Sequence, residues 1–315
     1  MPTHVSPDNF IRAESDLYFG NMVGEGGFGK FHHIRELSSI EHQLVVRQNR
    51  DTLYSAAVFD LDAGDVTVTL PDAGSRFMSL QVITEDHYVP EVTYTSGAHT
   101  YTRGQIGTRY VMFAVRTLVD PNDPADLKQV HALQDAITTD QSGGPGTFEV
   151  PDWDPVSQKQ VRDPLVALFA TLPDTKRMFG TKEDTDPVRR LVGSAAAWGG
   201  NPEREALYLP VTPAQNDGTT VHRLRVADVP IDGFWSITVY NAEGYFTPNA
   251  QNAYSLNNIT AVRSGDGAVD IQFGGCDGSA ANCLPITPGW NYLVRLYRPR
   301  REILDGSWTF PDPEI

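Results

Sequence analysis

The sequence predicts a mainly β protein with a helical middle segment, built as two jelly-roll-like or β-sandwich modules with attached helices. Three observations carry this. Between Leu44 and Leu118, apolar and polar residues alternate in short runs bounded by Gly, Pro, Asp or Ser, the period of half-buried strands. Between residues 121 and 200 the apolar spacing becomes helical, and from 201 to 315 short alternating runs return. The expected divisions are an N-terminal β module over 1–120, a helical connecting segment over 121–200 and a C-terminal β module over 201–315. Strands and helices do not alternate, so a doubly wound sheet is not expected.

Taken in order, "PDNFIRAESDLYFG" places Phe10, Ile11, Leu17 and Tyr18 at roughly helical spacing, with Pro and Asp near its start. A short helix opens the chain. It runs into "GEGGFGKFHHI", whose glycines do not fit a phosphate-binding register: no strand precedes them and no G-K-[ST] follows. A surface loop is the better account. The runs "VTVTLP", "RFMSLQVIT", "YVPEVTY" and "RYVMFAVRTL" are strands of an antiparallel module. In the middle, "PADLKQVHALQDAI", "DPVSQKQVRDPLVALFATL" and "DPVRRLVGSAAAW" read as helices, with Asp-Pro where helices begin. The closing strands are "EALYLPV", "VHRLRV", "GFWSITVYN", "AVDIQFGG" and "NYLVRLYRP".

The charge excludes one class of partner. Against 25 basic residues stand 40 acidic ones, for a net charge of -15, which repels phosphate backbones and makes nucleic acid an unexpected partner. As a functional signal this charge favours neutral or cationic ligands; as a structural one it means only solubility. No uncharged run is long enough to span a bilayer. The opening "MPTHVSPDNFIRAESD" lacks the basic start and apolar core of a signal peptide, which points to the cytoplasm. Cys276 and Cys283, in "GGCDGSAANCLP", point the other way if they close a small ring, which would suit an oxidising compartment and a trimmed periplasmic or secreted form. Both localisations stay open, as do ring and free thiols. The two cysteines are not a zinc pattern, and adjacent His32 and His33 diverge in an extended chain, so no metal or other cofactor is expected.

The run "NRDTLYSAAVFDLDAGDVTVTLPDAGSRFMSLQVI" resembles the N-terminal domain of a bacterial family catalogued as domain of unknown function 1254. Further on, "GFWSITVYNAEGYFTPNAQNAYSLNN" and "NCLPITPGWNYLVRLYRPRREILDGSWTFP" resemble its usual partner, domain of unknown function 1214. The resemblance implies two jelly-roll-like β modules with helices attached, and many members look exported or envelope-associated. It implies no reaction. Where the family reads Asn-Trp-Leu-Pro, this chain has Asn282, Cys283, Leu284 and Pro285, so an aromatic gives way to a cysteine. If that aromatic lines a ligand surface, the pocket here is wider or Cys283 is recruited to a disulfide.

The candidate chemistry starts at Asn49, Arg50 and Asp51, three polar residues between apolar runs. In a strand interior Asn49 and Asp51 share one face and Arg50 takes the other. The Asp51 carboxylate then either accepts hydrogen bonds that pin the strand, or faces a cavity with Tyr54 nearby as a general base. The second cluster is "TEDHYVPE", where Glu85, Asp86, His87 and Tyr88 end an apolar strand; His87 is the candidate acid or base and Tyr88 a ligand contact. The third is aromatic. Trp235, Ile237 and Val239 share a core face, whereas Tyr240, Asn241 and Tyr245 at the strand end can stack on a sugar ring or another flat ligand. Arg295 and Tyr297 share a face, and Arg295 can hold a carboxylate or pair with a structural Asp.

The expected catalytic set is therefore Asp51, His87 and Tyr54, with Asn49, Arg50, Tyr88, Tyr240, Tyr245 and Arg295 as ligand contacts. No G-x-S-x-G elbow is present, which argues against an ordinary serine hydrolase. The function expected is a hydrolase or lyase acting on a small or carbohydrate-like molecule in a pocket of the N-terminal module. The alternative is a non-catalytic binding or assembly protein whose modules associate with one another, including as a homo-oligomer.

Overall fold

The computed structural model describes residues 1–43 and 46–315. In chain order its elements are α1 (Phe10–Gly24), β1 (His32–Ile34), β2 (Thr52–Asp60), β3 (Val66–Leu70), β4 (Met78–Thr84), β5 (Glu91–Thr93), β6 (Gly97–Tyr101), α2 (Arg103–Ile106), β7 (Tyr110–Leu118), α3 (Pro124–Asp135), β8 (Thr138–Asp140), α4 (Pro155–Phe169), α5 (Pro187–Ala196) and β9 (Ala206–Val211). They continue with β10 (His222–Val226), β11 (Trp235–Tyr240), β12 (Ser255–Asn257), β13 (Val269–Phe273), β14 (Cys283–Leu284), β15 (Asn291–Tyr297) and α6 (Arg301–Leu304). The fold is mainly β, and the helices predicted over 121–200 are present as α3, α4 and α5. Two compact units are formed, one from Met1–Arg35, Leu53–Leu118 and Leu127–Glu203, the other from Glu36–Thr52, Val119–Asp126 and Arg204–Ile315.

In the first unit a five-stranded sheet of order β1-β2-β7-β4-β5 packs against a three-stranded sheet of order β6-β3-β8. Alternation decides which side chain goes where. Ala57, Phe59, Leu80, Val82 and Phe113 enter the core shared with Val66, Val68 and Tyr101 of the smaller sheet. Val58, Ile83 and Met112, one residue out of step, meet Phe19 of α1 and Val89 on the opposite face. The larger sheet is thus covered on both sides, so β4 is buried along its whole length. Truncating a fully buried ring such as Phe59 to Ala would cost about 3–5 kcal/mol.

The helices of this unit begin where the sequence marks them. Asp154 accepts from Val156 N and Ser157 N with Pro155 in the first turn, and Asp186 does the same for Val188 N and Arg189 N before Pro187. Phe10 and Ala13 of α1 pack with Leu165 of α4 and Val192 and Ala195 of α5. The buried side of α1 differs from the expected one. Leu17 and Tyr18 are partly exposed, whereas Glu14, Ser15 and Asp16 are buried.

In the second unit a sheet of order β12-β11-β15-β9 packs against one of order β10-β13-β14. Trp235, Ile237 and Val239 of β11 and Tyr292, Val294 and Leu296 of β15 face Val269, Ile271 and Phe273 of β13. That is the core face predicted for Trp235. The other face of β11 and β15 carries Ser236, Thr238, Tyr240 and Arg295, all buried.

One local expectation is corrected. Asn49, Arg50 and Asp51 do not interrupt a strand; they precede β2, which starts at Thr52. Asn49 Oδ1 accepts from Asp51 N at 2.7 Å, a side-chain turn that leads the chain into the strand. Leu44 and Val45, at the start of the apolar run before them, lie outside the described residues.

Candidate functional site

The first unit holds a buried acid pair built from one helix and one hairpin. β4 ends in a tight turn in which His87 N donates to Thr84 O at 2.8 Å and Thr84 N to Tyr88 O at 2.9 Å. His87 takes a left-handed conformation there, with φ 60°. The turn presents Glu85 inward and Asp86 outward. Glu85 meets Asp16 of α1, and Arg12, one turn earlier on the helix, spans both turn acids: Nη1 lies 3.2 Å from Glu85 Oε1 and Nη2 bonds Asp86. Both members of the pair are buried, Asp16 at 2% exposure and Glu85 at 6%.

Asp16 Oδ2 accepts from Trp153 Nε1 at 2.7 Å, while Oδ1 is buried and receives no donor. A protonated Oδ1 donating to Glu85 resolves that, since two ionised carboxylates could not face each other in a dry site. Burial pushes the Asp16 carboxyl up to about 7; the Trp153 N–H pulls it back, Glu85 adds to the rise and Arg12 opposes it. Next to the pair, Glu14 is buried against Gln158 and Arg162, with Gln158 Nε2 donating at 2.8 Å and Arg162 Nε at 3.0 Å.

Arg12 and Asp86 open onto a cleft of about 460 Å³, whose other walls include Asp8, Tyr88, Lys182 and Arg190. Arg190 of α5 donates to Asp86 O at 2.6 Å and lies over the Tyr88 ring, 4.2 Å from its centroid. Among the described residues neither Arg190 nor Lys182 is ion-paired.

His87 lies behind this cleft, fully buried. It is sandwiched, with Trp198 stacked at 5.2 Å and Phe179 edge-on at 5.9 Å. Its Nε2 accepts from Gly199 N at 2.9 Å, so the ring proton sits on Nδ1, which has no partner. Burial, with help from Arg190, pulls the His87 pKa down to about 3. Gly200 lets the loop close over the sandwich: a Cβ there would lie 2.4 Å from the Phe179 ring. Tyr54 belongs to β2 of the same unit, half-buried, with the Arg116 guanidinium 5.5 Å from its ring centroid.

The remaining predicted residues belong to the second unit. Asp51 is fully buried and accepts from Asn257 Nδ2 at 3.3 Å. Burial raises its pKa, opposed by the charge of Arg295 and the Ser236 hydroxyl. Arg295 is buried and donates to Thr238 Oγ1 at 2.7 Å, Tyr240 OH at 2.9 Å and Arg47 O at 2.9 Å. Tyr240 in turn donates to Gln48 O at 2.9 Å. This network ties the chain before β2 to the polar face of β11 and β15. Asn49 lies 3.4 Å from Tyr297 OH, and Arg50 reaches Ser38 O and packs over Phe246 and Tyr254. Tyr245 N donates to Asn241 Oδ1 at 2.8 Å in the turn after β11.

Thus Asp86 and Tyr88 of the second sequence cluster line one cleft, with Glu85 buried behind Arg12, whereas Asp51 and His87 fall in different units. Five clefts are described, and neither Asp51 nor His87 lines any of them; Tyr240 lines a small one of about 120 Å³. Asp16, Arg12, Trp153 and Arg190 were missed by sequence reasoning. The one available signal was two acids in "AESD", Glu14 and Asp16, beside Arg12 on a helix otherwise read as apolar. Among the described residues no group of three or more His, Cys, Asp or Glu is arranged to hold a metal ion, and no helix is long and apolar enough to cross a membrane.

Residues 28–106 match the family model described as "Protein of unknown function (DUF1254)", and residues 212–301 match "Protein of unknown function (DUF1214)". The chain carries both family domains in tandem. Most of the β strands of the DUF1254 match, and the Glu85 turn with them, lie in the first unit, while the DUF1214 match contains β11, β15 and the Cys276–Cys283 loop. The cysteines of that loop are joined in a disulfide. Cys283, at the position where the family's aromatic would stand, is therefore engaged in a covalent ring. Among solved structures, the VPA0106 protein from Vibrio parahaemolyticus is similar over 97% of this chain and 96% of its own, at 16% identity and a TM-score of 0.72. A putative uncharacterized protein from Burkholderia cenocepacia is similar over 97% of this chain and 85% of its own, at 12% identity and a TM-score of 0.52. At such identities the likeness is one of fold. No curated protein matches the sequence.

Proposed function

We propose that this tandem-domain protein is an enzyme of the hydrolase or lyase class, acting on a small or carbohydrate-like molecule in the cleft beside the Asp16/Glu85 pair. The observation that carries the reading is the pair of buried carboxyl groups, Asp16 and Glu85, packed behind cleft-lining Arg12. A carboxylic acid that keeps its proton to about pH 7, next to a second carboxyl group, is suited to general acid–base work near neutrality. Both reaction classes need that: hydrolysis to protonate a leaving oxygen, elimination to remove a proton and return one. Arg12 is the gate group, since it contacts Glu85 on one side and Asp86 in the cleft on the other.

The test begins with a thermal-shift panel of sugars, uronic acids and small esters, followed by a turnover assay on each stabilising compound. Asp16→Asn and Glu85→Gln should abolish turnover while circular dichroism shows a folded protein. Full turnover in both variants would sink the reading.

A second reading is favoured by the Asp51–Arg295 network. Its buried groups bind backbone and side chains, and Asp51 lines none of the five clefts. In a non-catalytic binding or assembly protein such groups would serve only to fix the second unit, which could then pair with copies of itself. The Cys276–Cys283 bond supports an oxidising compartment for the mature protein.

A further inference from the structure

The first-unit cleft has a charge pattern at odds with the chain as a whole. The protein carries a net charge of -15, yet three cations, Arg12, Lys182 and Arg190, line this cleft against two carboxylates, Asp8 and Asp86. The cations differ in what they are already doing. Arg12 is committed to Glu85 and Asp86. Arg190 has one nitrogen on the Asp86 carbonyl and its face on the Tyr88 ring, contacts that orient the guanidinium without neutralising it. Lys182 is exposed; its carbonyl accepts from Thr185 Oγ1, but its side chain makes no hydrogen bond or ion pair among the described residues. Two positive charges thus line one cleft, and among the described residues neither is paired to the lining carboxylates Asp8 and Asp86. Since neither is committed to a protein carboxylate, both are available to an anion that enters the cleft.

We infer that the cleft binds a small molecule bearing an anionic group, a carboxylate or a phosphate, held by Lys182 and Arg190 with the Tyr88 ring alongside. The inference rests on the reading of this cleft as the substrate site. The size fits, since about 460 Å³ lies in the range of small-molecule pockets. The planar guanidinium of Arg190, held by its carbonyl and ring contacts, is suited to a bidentate grip, and flexible Lys182 adds a point charge. Arg12, which shares Asp86 with Arg190, would then link that grip to the acid pair behind it. A lyase gains doubly from such an arrangement, because neutralising a carboxylate acidifies the adjacent C–H. In that step a carboxyl base takes the proton, the C–H electrons form the double bond, and the C–O bond breaks as its oxygen receives a proton from the acid.

The test is titration calorimetry on the full chain with glucuronate, glucose 1-phosphate and glucose as probes, at low and at raised salt. Binding of at least one anionic probe, much tighter than glucose and weakened by salt, is expected. Lys182→Glu should weaken it by about tenfold or more with no change in melting temperature, because the Lys182 side chain makes no hydrogen bond or ion pair in the fold and the substitution leaves its carbonyl in place. Glucuronate alone binding identifies a carboxylate site, and glucose 1-phosphate alone a phosphate site. Glucose binding as tightly as the anions, anions binding Lys182→Glu as they bind the wild type, or no anion binding at millimolar concentration would each overturn the inference. Asp16→Asn separates the two proposals: anion binding kept with turnover unchanged defeats the acid–base reading alone, while turnover lost in Asp16→Asn but indifferent to probe charge defeats this one alone.

Discussion

Trp198 stacks on His87 with ring centroids 5.2 Å apart and 16° between the planes, and the next residue, Gly199, donates its N–H to His87 Nε2 at 2.9 Å. The ring is therefore held neutral from two directions: burial strips water from it, and its acceptor nitrogen is already occupied.

A pH dependence follows for stability. The folded-state pKa of His87, about 3, lies below the unfolded value of about 6.5. Between those values the unfolded chain binds more protons, so this contribution is complete above about pH 6.5 and is lost as pH falls toward 3. In urea melts from pH 3 to 8, His87→Asn, which tolerates the left-handed backbone, should be less stable by about 2–3 kcal/mol at pH 7 and should flatten the acid limb. An unchanged acid limb would count against a neutral, buried His87.

Asp16 works in the opposite sense. Its folded pKa is raised to about 7 from an ordinary value near 3.8, so the folded protein holds the extra proton, and this contribution, complete below about pH 4, declines as pH climbs to 7. Asp16→Asn can still accept from Trp153 and can donate an amide hydrogen to Glu85 without titrating. The variant should gain on the wild type from pH 5 to 8. Parallel stability curves for the two proteins would show that Asp16 is not the proton holder.

In the second unit, Arg295 should matter more than Asp51. Arg295→Met leaves Arg47 O, Thr238 Oγ1 and Tyr240 OH without their donor and Asp51 without its cation, a loss of about 3–5 kcal/mol. Asp51→Asn keeps volume and the Asn257 contact, and should cost about 1–3 kcal/mol. Denaturant midpoints at unchanged slope give both numbers, and a reversed order would mean that Asp51 carries more of the network than Arg295.

The Cys276–Cys283 ring closes over a sequence separation of 7, so its chain-entropy contribution is modest, about 2–3 kcal/mol. Reduction, or Cys276→Ser with Cys283→Ser, should lower the melting temperature by a few degrees. Loss of folding altogether would give the ring a larger role than its size allows.

Much of the architecture was legible. Asp154-Pro155 and Asp186-Pro187 announce helix starts because a capping carboxylate and a preset φ act within one turn, and the alternation of Trp235, Ile237 and Val239 fixes a core face. Asn49 to Asp51 misled because an Asn side-chain turn imitates an interrupted strand when only polarity is read. The acid pair was hidden for a different reason. A buried Asp16 is tolerable only through Glu85 and Trp153, and nothing local to α1 reveals partners so distant in sequence. "TEDHY" does contain the turn that carries Glu85 and Asp86, whereas its histidine is enclosed by Trp198 and Phe179.

The interleaving of the two units bears on synthesis. Unit one is complete when Glu203 has emerged, but Glu36–Thr52 and Val119–Asp126 belong to a unit finished only at Ile315. Asp51 meets its amide partner Asn257 across 206 residues of chain. At ordinary translation speeds the remaining C-terminal stretch takes on the order of 10 s, during which those two early segments wait unpaired on the ribosome. Fragments cut at the boundaries of the two family matches would inherit the same gap permanently, so expression of either half alone should yield aggregation-prone protein, while coexpressed halves split after Glu203 could still find each other.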